Sequence, residues 1–118
     1  MTKLLRKRDN QLLVPELEVA KSLFSIAKGL LGRRELASDR GLWIWSGGSI
    51  HTFFMQFAID LVFLDEQMVV TKIYQSVPPW RILPPARKAV SVVELAGGFL
   101  EKCPIQVGDE LYVDPALS

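Results

Sequence analysis

Short apolar runs, most of them alternating with polar positions, recur along the chain and are typical of β-strands. The longest run covers residues 58 to 64 and is interrupted only by Asp60, which predicts a strand buried on both faces. Residues 65 to 67 follow as a turn, and residues 68 to 74 alternate well enough to form its hairpin partner. Further strands are predicted at 2–7, 11–14, 17–20, 41–45 and 89–95, with two short ones within 105–113.

One segment has helical rather than strand periodicity. Apolar side chains over residues 21–31 follow the i, i+3, i+4 spacing of an amphipathic helix, with polar side chains on the other face. Gly32 comes next, where a left-handed cap is expected at a helix end. A single further helical turn is predicted at 99–103, where Pro104 stops it.

These elements predict an α+β fold that is mostly β. We expect a small sheet, closed or half-closed into a barrel, with the helix of residues 21–31 packed against it. A length of 118 residues suits one domain. Hydrophobic residues make up 49% of the chain, which is enough for a core. No linker or internal repeat divides the chain, so residues 1–118 are predicted to be a single domain.

Composition restricts the classes of partner. The formal net charge is +1, which provides no general attraction to nucleic acid. The basic residues Lys3, Arg6, Lys7 and Arg8 could bind an anionic surface, but the solvated face and edge of a first strand explains them better. No apolar segment reaches the roughly 18 residues that span a bilayer. We expect a monomer or weak dimer that binds a small molecule or a protein.

The single cysteine, Cys103, excludes an internal disulfide and is typical of a reducing compartment. The basic start of the chain is not followed by an apolar run of signal-peptide length. Together these features favour a cytoplasmic protein.

Buried charge is the most useful sign of a site. Asp60 and Glu94 lie in apolar strands, where an unpaired carboxylate would be very costly, so each should have a partner. Arg33 and His51 are the natural candidates. An internal polar network that fixes the strand register is the favoured interpretation. The alternative is a pocket in which Arg33, His51, Asp60 and Glu94 converge on a small ligand.

A proline-rich segment from Val77 to Lys88 contains two Pro-Pro pairs, which exclude a helix or an interior strand. Trp80, Arg81 and Arg87 give this segment an aromatic and basic character. It could be a lid for an anionic or planar ligand, or a stiff crossover that covers the end of the barrel. The sequence does not favour one of these over the other.

The chain lacks a complete catalytic set. One histidine and one cysteine, with no pair at metal-ligand spacing, argue against a zinc site, and no cofactor is expected. A magnesium site formed by Asp60, Glu94 and Asp109 is possible in principle. His51 with Asp60 or Glu94 could provide acid–base catalysis.

Several stretches resemble the prokaryotic family called domain of unknown function 192, in an order and spacing that cover residues 17–113. They are Gly29-Leu-Leu-Gly-Arg33, Gly41-Leu42, Ile59-Asp-Leu-Val-Phe-Leu-Asp65, Val93-Glu-Leu-Ala-Gly-Gly98 and Val107-Gly-Asp109. The chain resembles a variant branch, since it has His51-Thr-Phe-Phe-Met55 where the family commonly shows Trp-Met-Lys-Asn-Thr. The resemblance implies a small β-rich, partly barrel-like fold with one helix. It supplies no reaction, substrate or cofactor.

A non-enzymatic small-ligand-binding or accessory domain is therefore the leading hypothesis. A small acid–base enzyme that uses His51 is one alternative. A protein–protein interaction module is the other, with Trp43, Trp45 or Trp80 exposed as an apolar patch.

Overall fold

The computed structural model describes residues 2–20, 39–45, 50–51 and 57–115, with only the backbone at Ala20, Ile50 and His51. The predicted helix at 21–31 and Arg33 lie outside these residues. The described elements are β1 (Thr2–Arg6), β2 (Gln11–Ala20), β3 (Arg40–Trp45), β4 (Ile50–His51), β5 (Ile59–Leu64), β6 (Val70–Val77), β7 (Ile82–Leu83), β8 (Ser91–Ala96), α1 (Phe99–Lys102) and β9 (Leu111–Asp114).

Seven of the strands form one sheet in the order β6-β5-β8-β3-β2-β1-β9, which curls into a half-barrel. Its pairs are antiparallel except for β2 and β3, which run parallel. The two edges of the sheet meet at one end, where the Val70 amide donates to the Asp109 carbonyl at 2.8 Å and the Gly108 amide donates to the Val70 carbonyl at 2.8 Å. The predicted mostly-β, half-closed fold is thus confirmed.

The sheet buries apolar side chains on both of its faces, as alternation along a strand requires. In β5 and β8, Val62, Leu64, Val93 and Leu95 belong to an inner cluster that also takes side chains from β1, β2, β9 and α1. The intervening positions belong to an outer cluster, whose buried members are Leu42, Ile44, Ile59, Leu61, Phe63, Val77, Ala89 and Val92. Each fully buried aliphatic side chain contributes about 1.5–3 kcal/mol to folding. Burial on both faces explains why the sequence of β5 is an apolar run interrupted only by Asp60.

The predicted strands at 11–14 and 17–20 are one continuous strand, β2, that contains Pro15. Proline has no amide proton to give to a ladder, so it is tolerated in a strand only where pairing is interrupted. β1 pairs Leu4 with Val14 and Thr2 with Leu17, which places Pro15 inside an irregularity of the register. Beyond it, Glu16 begins the parallel pairing with β3.

The C-terminal region also differs from its prediction. The helical turn predicted at 99–103 is present as α1, and Gly108 adopts a positive φ of 97° in the turn before β9. Instead of two strands within 105–113, the described structure has β9 alone. The residues before β9 form turns that bond to the start of β6, and Val69 and Glu110 make an isolated bridge.

Arg6 at the end of β1, and Lys7 and Arg8 just after it, lie beside acidic partners. Arg6 is buried, with 6% of its surface exposed. Its guanidinium donates two hydrogen bonds to the Asp9 carboxylate, at 3.1 and 3.2 Å. The same side chain donates to the Pro104 carbonyl at 2.7 Å and to Gln11. Since β1 lies between β2 and β9, it is an interior strand and not the expected edge.

Replacing Arg6 by lysine should destabilise the fold by about 2 kcal/mol, since an ammonium cannot reproduce the planar fork that reaches Asp9 and Pro104 together. The matched control is Arg8→Lys, whose side chain is 62% exposed beside Asp109. Urea unfolding of both variants provides the measurement. Equal losses in the two variants would contradict this account of Arg6.

Candidate functional site

Asp60 is fully buried, and its carboxylate is bound by backbone amides from two other elements. Oδ1 accepts from the amides of Ser76 at 2.7 Å and Gly98 at 3.3 Å, and Oδ2 accepts from the amide of Leu100 at 2.8 Å. Hydrogen bonds to a charged acceptor are the stronger class and can offset the cost of burying the carboxylate.

The backbone around Asp60 is shaped to give these bonds. β6 has a bulge in which both Gln75 and Ser76 lie opposite Asp60, and Ser76 takes a φ of +52°. Gly98 precedes α1 in a left-handed conformation and has no side chain to cap the helical turn. Asp60 acts as that cap from a neighbouring strand. The arrangement fits the interpretation of Asp60 as a group that fixes strand register.

Glu94 is also buried, 3% exposed, but its described neighbours on the sheet are apolar. In the sheet it lies between Leu42 of β3 and Leu61 of β5. Within the described residues, its Oε2 atom has no hydrogen-bond partner. Burial away from water raises the pKa of Glu94 from 4.5 to about 8, so its neutral form dominates at neutral pH.

The two buried carboxyl groups do not meet. Asp60 pairs with Leu95 of the inner cluster and bonds to Leu100 there, whereas Glu94 shares its face with Val92 of the outer cluster. They therefore point to opposite sides of the sheet, and one small ligand cannot touch both. Arg33 and the His51 side chain lie outside the described residues, so their part in the predicted network stays a prediction.

The carboxylates considered for magnesium are also separated. A carboxylate oxygen of Asp109 lies 3.6 Å from the Arg6 guanidinium, and its backbone bonds to Val70 at the start of β6, whereas Asp60 bonds to Ser76 near the end of that strand. Among the described residues, no three metal-binding side chains come together as a metal site.

A surface cleft of about 540 Å³ opens where β8 ends and α1 begins. Its lining residues are Phe57, Ala58, Ser76, Ala96, Gly97, Gly98 and Glu101. Two of these residues, Ser76 and Gly98, donate their backbone amides to Asp60. The buried carboxylate therefore fixes the position of part of the cleft wall. Sequence reasoning missed this cleft, although the Ala96-Gly97-Gly98 sequence marks the strand end that forms it.

The cleft adjoins the outer cluster, where Glu94 is buried. Phe57 and Ala96 both line the cleft and pack against that cluster. Ala96 and Glu94 are two residues apart on one strand, so they share a face and are separated by roughly 7 Å. Glu94 is thus the buried polar residue that follows Ala96 on this face of β8, one position further from the cleft.

The proline-rich segment covers the outer face. Its strand β7 pairs with β4, which sets the His51 backbone opposite Ile82. Leu83 and Ala86 pack against the outer cluster, whereas Trp80 is 57% and Ile82 70% exposed. Arg81 and Arg87, the other predicted lid residues, are exposed. The segment is a cover for this face, and its role as a lid stays a prediction.

The chain resembles known proteins over nearly all its length. Residues 4–113 match the model of the domain of unknown function 192 family, described as "Uncharacterized ACR". A protein of the group UPF0127 from Pyrococcus horikoshii is 31% identical over 99 residues, which cover 81% of this chain and 85% of that relative. A UPF0127 protein from Pyrococcus furiosus is 38% identical over 63 residues, and the match spans about half of each protein, 53%.

The same fold is present in a crystal structure of a protein of unknown function from Novosphingobium aromaticivorans. It superposes with a TM-score of 0.77 at 22% identity and covers 93% of this chain and 81% of that one. At this identity the likeness establishes the fold alone. In the described part of the chain, no helix is long and apolar enough to cross a membrane.

Asp60→Asn should destabilise the fold by about 3 kcal/mol, because one carboxylate oxygen becomes an amide that faces backbone donors. The matched control is Asp65→Asn. Asp65 accepts two amides through a single oxygen, Oδ1, in the β5–β6 turn, and an asparagine oxygen can replace it there. Urea unfolding should show a loss below about 1 kcal/mol for the control. Similar losses would contradict the special role of Asp60.

Glu94 should make the fold less stable as pH rises. Between pH 4.5 and about 8 the folded protein keeps a proton that the unfolded chain has released. The free energy of unfolding should therefore fall by about 1.4 kcal/mol per pH unit in this window relative to Glu94→Gln. Denaturation at a series of pH values measures this difference. Glu66→Gln, at an exposed turn, should keep the wild-type slope, and a wild-type slope in Glu94→Gln would refute the assignment.

Proposed function

Because the chain belongs to the domain of unknown function 192 family, which brings no assigned activity, we propose a function from the site itself. The chain is a non-enzymatic small-ligand-binding domain. Its ligand occupies the cleft between the end of β8 and α1, and Glu94 is the buried polar group that recognises it.

One observation carries this proposal: the Glu94 carboxyl is buried in an apolar layer with an oxygen that no described residue bonds. Buried polar groups in folded proteins are nearly always hydrogen-bonded, so an exception calls for an explanation. An apolar side chain of similar size would suit this position as well or better for stability alone. A strongly shifted carboxyl beside a cleft is typical of a binding site.

The cleft has the size and composition that this role requires. Its volume of about 540 Å³ lies within the usual range for small-ligand pockets. Of its lining residues, Phe57, Ala58 and Ala96 are apolar, and Ser76 and Glu101 are polar. A Cβ atom at Gly97 would lie 3.0 Å from the Ala58 carbonyl oxygen, so glycine permits the close approach that forms one wall.

The enzymatic alternative has less support. Asp60 commits both oxygens to backbone amides, which leaves it poorly placed to accept a proton from a substrate. Glu94 is the remaining carboxyl partner for His51 in that hypothesis.

An interaction module is the second candidate, and the exposed aromatic residues favour it. Trp80 is 57% and Trp45 47% exposed, while Trp43 is buried and its ring centroid lies 4.1 Å from that of Trp45. Exposed tryptophan is enriched at protein–protein contact sites.

A fragment screen by NMR on the wild-type protein tests the leading proposal. Binding fragments should shift the amide resonances of Ser76, Gly97 and Gly98, and Ala96→Phe should remove these shifts by filling the cleft. Glu66→Gln, at the opposite end of the sheet, should leave them unchanged. The proposal fails if no fragment shifts these amides. Shifts around Trp80 and Ile82 on adding a protein partner would instead support the interaction module.

A further inference from the structure

The structure also indicates the chemical class of the ligand, an inference that rests on the proposed function. We propose that the cleft binds an apolar molecule that carries an amine, and that its ammonium group pairs with the Glu94 carboxylate. The exposed Glu101 carboxylate at the cleft surface attracts the same positive charge.

The charges around the cleft favour a cation over an anion. Of the described residues that line it, Glu101 is the one that carries a charge. Arg81, Arg87 and Lys88 of the proline-rich segment are exposed and do not line it. An anionic ligand would meet the Glu101 carboxylate in the cleft and the Glu94 carboxyl group further inward, and none of the described lining residues is basic.

The surroundings of Glu94 favour an ionic partner over a neutral one. Leu42 and Leu61 flank it across the strands, and Val92 shares its face within β8. In such an environment a lone carboxylate is strongly disfavoured, but a carboxylate paired with an ammonium gains a short, charge-assisted hydrogen bond. A neutral alcohol would gain only the weaker bond between uncharged groups.

Aromatic rings near this face suit a cation as well. Phe57 lines the cleft, and Tyr74 packs against the outer cluster with its ring 5.9 Å from that of Phe63. The Tyr74 ring does not line the cleft, and the Lys72 ammonium lies over it at 5.5 Å from its centroid, so Phe57 is the aromatic ring of the described lining residues. Aromatic faces with a carboxylate are a common combination in ammonium recognition.

Binding in this form has a defined proton balance. The free protein holds Glu94 as a neutral carboxyl group, and the amine is an ammonium ion in solution. When the pair forms, the O–H bond of Glu94 breaks and its proton passes to the solvent. The ammonium keeps all its protons, so one proton is released for each ligand bound.

Three probes of equal chain length separate the possible classes: heptylamine, heptanol and heptanoate. Isothermal titration calorimetry and amide NMR shifts should show heptylamine binding in the cleft at least tenfold more tightly than either of the others. Below the pKa of Glu94, its affinity should rise about tenfold for each pH unit, as release of one proton requires. Calorimetry in two buffers of different ionisation enthalpy counts the released proton directly.

Two variants test whether Glu94 is responsible for the preference for heptylamine. Glu94→Gln should weaken heptylamine at least tenfold and abolish proton release, while it leaves heptanol binding unchanged. Glu66→Gln should alter none of these values. If Glu94→Gln does not fold, the proton count on the wild-type protein decides, and amine binding without proton release overturns the inference.

The possible failures are distinguishable. If heptanol or heptanoate binds in the cleft as tightly as heptylamine, the amine class is wrong and the cleft stands as a binding site. If none of the three probes shifts the resonances of Ser76, Gly97 or Gly98, the amine inference is overturned, and the fragment screen decides separately whether the cleft binds anything.

Discussion

The Asp60 carboxylate is the interaction on which this end of the molecule depends. It lies on β5, and its bonds reach the bulge of β6 through Ser76 and the β8–α1 turn through Gly98 and Leu100. Each of these backbone segments departs from regular strand or helix geometry, so its amides need an acceptor from elsewhere. One buried charge satisfies all three, and it thereby sets the position of two walls of the cleft.

Glu94 is a buried carboxyl group of the same sheet whose surroundings differ from those of Asp60. Asp60 is surrounded by amide donors, whereas Glu94 lies among leucine and valine side chains with an oxygen that no described residue bonds. Two carboxyl groups in adjacent strands are thus given different chemistry by their surroundings. The first contributes stability, and the second lowers it wherever the unfolded chain would be ionised.

The sequence allowed the burial of both carboxyl groups and most of the strands to be predicted, because apolar runs and turn residues are local signals. It did not reveal that Asp60 and Glu94 face opposite sides, since that depends on the register of β5 against β8, two strands that are separated along the chain. Residues 11–14 and 17–20 were predicted as two strands, but the irregular register of β1 against β2 accommodates Pro15 within one. The cleft was missed because Phe57, Ser76 and Gly97 come from three distant segments.

Proton linkage connects the stability of the fold with binding at Glu94. In the free protein, each step of rising pH towards about 8 adds to the cost of keeping this carboxyl buried. A cation that pairs with the ionised form binds the folded state more tightly over the same range. A ligand stabilises a fold by RT ln(1 + L/Kd), where L is the free ligand concentration, so tighter binding gives more stabilisation at a fixed ligand concentration. An amine ligand would therefore stabilise the protein most at the pH at which the unpaired Glu94 lowers the free energy of unfolding most. A neutral ligand would not, because it binds the protonated carboxyl group without releasing a proton, so its affinity does not rise with pH over this range.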